Sequence, residues 1–195
     1  MGGRDAGYRR DMTADLTGKK IAFLVDNAGV EQVELTTPWH AFRRAGADTT
    51  LIAPEKDVVQ AFNHDVEEAG AFNADLAVTE ADAEEYDALV LPGGTTNADA
   101  LRLSSDAVAL VKAFADAGKP IAAICHGPWA LVEADVVDGK RLTSYPSLKT
   151  DIRNAGGVWV DEAAVTSSEN DWTLVTSRNP DDLDAFVEAA AEAFA

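Results

Sequence analysis

The stretch Ala123-Ile124-Cys125-His126-Gly127-Pro128 puts the chain's single cysteine between an apolar run and a proline that can open a helix. Three residues are left to reverse the chain, the spacing of a nucleophile elbow with sulfur in place of a hydroxyl. Gly127 removes the side chain that would keep strand and helix apart. A cysteine at a helix start is favoured as a thiolate by the free N–H groups there, so a lowered pKa is expected for Cys125. His126 is the adjacent base, provided the two side chains converge. The plain alternatives are a buried cysteine ending a strand and an exposed loop histidine.

A second loop, Leu91-Pro92-Gly93-Gly94, also follows an apolar run. Gly93 and Gly94 leave backbone N–H groups bare, as stabilising a developing oxyanion requires. Glu34 lies about a turn into the first predicted helix. It is either a buried acid against the sulfur or a solvated helix carboxylate. His40, within a helix pattern, and His64, in a loop, show no metal-ligand spacing, and neither a metal nor a cofactor is expected.

These residues need rigid elements behind them. Strand signals at Ile21–Val25, Thr49–Ala53, Ala88–Leu91 and Ile121–Ile124 alternate with amphipathic stretches at 32–45, 105–117 and 181–194. Continuous apolar runs of this length suit strands buried on both faces. The order predicts a doubly wound α/β sandwich of three layers with a mostly parallel sheet, and ligands beyond the carboxyl ends of its strands. Val58-Val59 and Leu76-Ala77-Val78 are expected to flank an excursion. Asn179-Pro180-Asp181-Asp182 opens the last helix, with Asn as cap and Pro at the first position. Residues 19–195 form one domain, and residues 1–18 read as a disordered extension.

Sixteen Lys+Arg stand against thirty-four Asp+Glu, a net charge of −18. No basic footprint exists for nucleic acid or an anionic membrane surface. No apolar run approaches the ~20 residues of a membrane span, and the N-terminus has no apolar stretch of a signal peptide. A cytoplasmic protein is expected. Spread acidity with sparse lysine suits a salt-rich, halophilic setting where ions screen self-repulsion.

Together these segments resemble the ThiJ/PfpI superfamily, and its PfpI branch in particular, described as intracellular cysteine peptidases or class I glutamine amidotransferase-like proteins. The resemblance is carried by Val30-Glu-Gln-Val-Glu34 with Thr37-Pro38, Tyr86-Asp-Ala-Leu-Val-Leu-Pro-Gly-Gly94, Gly118-Lys-Pro-Ile-Ala-Ala-Ile-Cys-His-Gly-Pro128, Leu142-Thr-Ser-Tyr-Pro146, Asn154-Ala-Gly156 and Thr176-Ser-Arg-Asn-Pro-Asp-Asp-Leu183. It implies a flavodoxin-like fold, Cys125 as nucleophile, Glu34 as the acid touching it, His126 as base, and an oxyanion hole from Gly94 N–H and backbone near His126. It also implies a third acid from a neighbouring subunit. Asp99 is the nearest match, one residue later than the family spacing. Homo-oligomers follow, as dimers or a hexamer of dimers.

The resemblance implies a thiol hydrolase acting on a small carbonyl adduct or a peptide, with deglycase, glyoxalase-like or peptidase activity and a role in stress protection. Two alternatives are a redox-sensing stress protein or chaperone without turnover, and a glutamine amidotransferase. The second suffers because that class places its histidine and glutamate late, and no histidine follows His126.

The charge generates a first prediction. The Debye length falls from about 10 Å at 0.1 M salt to about 3 Å at 1 M. Assembly and turnover should therefore rise together across a KCl series followed by sedimentation and activity. A chain that stays fully assembled and active in dilute buffer would refute the halophilic expectation.

Overall fold

A computed structural model describes residues 14–195. The chain begins with β1 (Lys20–Leu24), β2 (Ala28–Glu31), α1 (Gln32–Arg44) and β3 (Asp48–Ala53). A hairpin of β4 (Val58–Asn63) and β5 (Glu67–Asn73) follows, then β6 (Leu76–Ala77) and β7 (Ala88–Leu91). Next come α2 (Thr95–Leu101), α3 (Ser105–Asp116), β8 (Ile121–Ile124) and α4 (Pro128–Glu133). The last third holds β9 (Arg141–Leu142), α5 (Lys149–Asn154), β10 (Val158–Trp159), β11 (Ala164–Ser167), β12 (Leu174–Ser177) and α6 (Leu183–Phe194).

Seven strands form the main sheet in the order β11-β12-β8-β7-β1-β3-β6. All its pairs are parallel except β11 with β12. Strand alternation explains why both faces are apolar. Ile21 and Phe23 of β1, Val90 of β7 and Ile124 of β8 enter one core with Phe42 of α1 and Phe186 of α6. Ala22, Leu24, Leu89 and Ala123 enter the other, with Val111 and Phe114 of α3 and Leu131 of α4. The result is the predicted α/β architecture, a mostly parallel sheet between two helical layers.

The chain leaves β1 toward β3 on one side, and β7 lies on the other. That reversal of strand order opens a crevice at the carboxyl ends of β1, β7 and β8. The expected excursion is a separate three-stranded sheet, β2-β4-β5, folded over the same end.

Local chemistry accounts for several boundaries. Asn179 accepts from Asp181 N at 3.0 Å and caps a short 3-10 turn, Pro180–Asp182, that runs on into α6, whose own N-cap residue Asp182 makes no side-chain cap bond. Ser104 caps α3, its hydroxyl accepting from Ala107 N at 3.3 Å. The short helix α2 has no amphipathic signal of its own.

The N-terminal expectation needs correction. Residues 1–13 lie outside the described residues, but 14–18 belong to the fold. Leu16 is fully buried in the α1 and α6 core. Its N–H donates to Ala45 O at 2.9 Å, and its carbonyl accepts from Lys19 N at 3.0 Å. One apolar residue among Asp, Thr and Gly shows no periodicity, so the pattern was silent there.

Leu16→Ala is accordingly expected to destabilise the fold by about 2–4 kcal/mol. Urea unfolding checks this. A change within about 0.5 kcal/mol, the usual range for a surface site, would return residues 14–18 to the extension.

Candidate active site

Cys125 sits between β8 and α4 with φ 61°, in the left-handed region. A non-glycine residue there costs about 1–2 kcal/mol. The cost is met by a backbone tied on both sides. Cys125 N donates to Ser177 O at 3.1 Å, and Cys125 O accepts from Tyr145 N at 2.8 Å. Gly127 closes the turn by donating to Ile124 O at 2.9 Å. A Cβ on Gly127 would strike the carbonyl of Leu91, so only glycine lets β7 and the turn approach this closely.

Across the crevice, Gly93 fits between Glu34 and Cys125, and a Cβ there would overlap the carboxylate and lie 2.6 Å from Cys125 Cβ. Gly94 has φ 91° and packs against Gly29 O. Asn97 fixes this loop. Fully buried, it donates Nδ2 to Pro92 O at 3.2 Å and Gly93 O at 3.0 Å, and accepts from Asp26 N at 2.7 Å. A buried asparagine three residues past a glycine pair carries no periodicity, so sequence reasoning missed it.

Glu34 is fully buried, which removes the solvated alternative. Its Oε2 accepts from Gly93 N at 2.9 Å. Oε1 is buried without a hydrogen bond of standard geometry, and the carboxyl also interacts with the Cys125 thiol. Burial, reinforced by Glu31, pushes Glu34 up to about 8. The group is therefore protonated at neutral pH and can donate to sulfur.

The Cys125 thiol moves the opposite way from expectation. Burial raises its pKa, and a charged Glu34 raises it further. The N–H groups of Gly94 and His126 face the sulfur and lower it, but less. Helix α4 is only six residues long, a weak counterweight to desolvation. Because Glu34 and Cys125 face each other, they titrate as a pair that resists carrying two charges.

His126 does converge on the cysteine. Its Nδ1 lies 3.2 Å from Cys125 Sγ. The ring stacks on Tyr145, with centroids 4.7 Å apart, and meets the edge of Trp129 at 5.3 Å. Nε2 lies 3.3 Å from Ser147 Oγ and 3.5 Å from Thr95 Oγ1. Burial lowers the His126 pKa, while Asp65 raises it. That places a neutral, proton-accepting imidazole beside the thiol.

The sulfur opens into a cavity of about 310 Å³ walled by Glu31, Asp65, Thr95, His126, Tyr145 and Pro180 among others. Asp65 and His64 come from the β4–β5 turn, which sequence patterning placed nowhere near the site. Asp99 is exposed on α2 and does not line its own chain's cavity. His40 is exposed on α1. Among the described residues no three His, Cys, Asp or Glu side chains group as metal ligands, and no helix is long and apolar enough to cross a membrane.

The sequence pattern of the DJ-1/PfpI family matches residues 19–193, nearly the whole folded chain. The chain belongs to the DJ-1/PfpI family. It is 40% identical to a deglycase of Pyrococcus abyssi over 80% of this chain and 89% of that protein. It is 38% identical to general stress protein 18 of Bacillus subtilis over 87% and 94% of the two chains. Among solved structures, Drosophila melanogaster DJ-1beta superposes with a TM-score of 0.77 at 31% identity, covering 89% of each chain. Family relatives thus include named deglycases that this chain parallels almost end to end.

The protonated Glu34 has a consequence for folding. Its native pKa is raised above the ordinary 4.5 to about 8. Its contribution to stability is therefore fully present below about 4.5 and is lost as pH rises through about 8. Glu34→Gln, which stays neutral and can still accept from Gly93 N, should gain stability relative to wild type across that window. Urea unfolding of both proteins at several pH values checks it, and a difference that does not vary with pH would show that Glu34 ionises normally.

Proposed function

We propose that this DJ-1/PfpI protein is a cysteine-dependent hydrolase of deglycase type, acting on small carbonyl adducts. One observation carries the reading: Cys125 Sγ lies 3.2 Å from His126 Nδ1, beside the buried carboxyl of Glu34, at the floor of a cavity. His126 takes the thiol proton as the sulfur attacks the adduct's electrophilic carbon. A C–S bond forms at the carbon that bears the adduct's hydroxyl as that carbon's bond to the amine or thiol breaks, and the charge of the enediolate that follows gathers on oxygen. The N–H groups of Gly94 and His126, already converging beside the sulfur, are placed to receive that oxygen. The leaving amine or thiol takes the proton from His126; a proton then moves from the sulfur-bound carbon to the neighbouring carbonyl carbon through the enediol, turning the hemithioacetal into a thioester, and water hydrolyses that to a 2-hydroxy acid and the free thiol. Glu34 keeps its proton and donates to sulfur, so a thiolate gains a partner rather than a repelling charge.

A space of about 310 Å³ favours a methylglyoxal-sized adduct on a side chain over an extended peptide. The named deglycase among the relatives supports the same choice. A cytoplasmic stress role is the setting we infer, in line with the stress-protein relative. The molecule acts as a homo-oligomer, a dimer or a hexamer of dimers, with Asp99 exposed and available to a neighbouring subunit. A second reading, redox sensing, is favoured by Glu34 Oε1, buried against the thiol without a hydrogen bond of standard geometry. A protonated carboxyl there can hold an oxygen of an oxidised Cys125.

Cys125→Ser is expected to cut decay of the methylglyoxal hemithioacetal of N-acetylcysteine by about 10³-fold or more while circular dichroism stays unchanged. Glu34→Gln should retain far more turnover than Glu34→Asp, whose shorter stem withdraws the donor. Unimpaired Cys125→Ser would move the chemistry elsewhere. Full oxidation at Cys125 with no turnover by wild type would select the redox reading.

A further inference from the structure

The turn between β4 and β5 is strained and strongly held. His64 and Asp65 have φ 55° and 65°, both non-glycine residues in the left-handed region. Glu31 Oε2 accepts from His64 N at 2.8 Å. Asp65 Oδ1 accepts from Thr95 N at 2.7 Å, and its Oδ2 accepts from Thr95 Oγ1 at 2.9 Å. Thr95 Oγ1 in turn lies 3.5 Å from His126 Nε2, and His126 Nδ1 lies 3.2 Å from Cys125 Sγ. Four side chains from three separate segments thus form one line ending at the sulfur.

Proton positions along that line follow from what each group can do. An ionised carboxylate only accepts. The single hydroxyl proton of Thr95 is therefore given to Asp65, and the Thr95 oxygen turns a lone pair toward His126. Only an Nε2–H can satisfy it. A neutral imidazole carries one N–H, so Nδ1 is left bare and facing the thiol. Ser147 Oγ, which can donate or accept, adapts to either state of Nε2.

We propose that Asp65 is a positioning residue that works through the Thr95 hydroxyl to hold His126 in the tautomer whose Nδ1 takes the proton of Cys125. The proposal rests on the reading of Cys125 as nucleophile and His126 as its base. In the transfer, the S–H bond breaks, its electron pair stays on sulfur, and an N–H bond forms at Nδ1. Among the described residues that wall the cavity, the imidazolium so produced is faced by Asp65 and by no lysine or arginine. The groups around His126 are Cys125 beside it, Glu31 and Glu34 from β2 and α1, His64 and Asp65 from the hairpin, and Tyr145 beneath the ring. Trp129, at its edge, carries Arg102 on its own ring.

Nitrogen-15 NMR of the histidine rings in the full chain tests this without needing a substrate, with His126→Asn assigning the signal. Wild-type His126 should be the Nε2–H tautomer when neutral. Asp65→Asn should lower its midpoint by about 0.5–1 pH unit and admit the other tautomer. Thr95→Val should admit the other tautomer too, and Thr95→Ser should retain the wild-type state. Hemithioacetal turnover should fall about 10-fold or more in Asp65→Asn and Thr95→Val, with the acidic limb of the pH profile displaced in Asp65→Asn.

An Nδ1–H tautomer in wild type, or unmoved His126 signals in Thr95→Val, overturns the proposal. Should Asp65→Asn fail to fold, Thr95→Val and Thr95→Ser decide. If the tautomer responds as expected but wild type shows no turnover, the positioning stands and the hydrolase reading fails.

Discussion

Two acids share one buried space at the heart of this protein, the thiol of Cys125 and the carboxyl of Glu34. Burial weakens the solvation of their charge, so the pair resists carrying two negative charges at once. The raised pKa of Glu34 is the direct result. Much of the surrounding structure exists to permit that contact. Gly93 has no side chain because any Cβ would fall onto the carboxylate. Its N–H donates to Glu34 with good geometry. Asn97 holds the same loop by its carbonyls, so the N–H stays aimed inward.

The contact is possible because of where the sheet reverses its order. The segments that follow β1, β7 and β8 meet beyond the carboxyl ends, and each contributes one part: the acid from the first turn of α1, the glycine pair and the nucleophile. The left-handed backbone at Cys125 would be costly alone. It is tied to β12 through Ser177 and to the segment before α5 through Tyr145. Strain is stored where several elements converge to hold it. The small sheet β2-β4-β5 adds a wall that the main sheet lacks, and its hairpin turn supplies Asp65.

Charge divides sharply between outside and inside. The chain carries a net −18, yet the carboxyl closest to the sulfur is neutral at pH 7. The remaining acids of the cavity, Glu31 and Asp65, are occupied as hydrogen-bond acceptors for the hairpin and for Thr95. Acidity on the surface acts through self-repulsion in the solvent. Within the crevice, each carboxyl has a separate task set by its degree of burial.

The amino-acid sequence alone determined the alternation of strands and helices, because apolar runs and periodicity are local signals. It also determined the Cys-His-Gly-Pro turn and the glycine pair, where residue type itself reports a backbone constraint. The Asn179 cap that leads into α6 was legible for the same reason. Glu34 was visible only as one of two alternatives, since helix spacing does not distinguish a solvated acid from a buried one. Leu16, Asn97 and Asp65 left no readable mark. Each acts through a partner distant along the chain, 29 residues away for Leu16 and Ala45, 71 for Asn97 and Asp26, and 30 for Asp65 and Thr95. The thiol's pKa belongs to the same class. A helix start argues for lowering it, but desolvation argues the other way, and how much water reaches a sulfur is decided only when all three layers have closed around it.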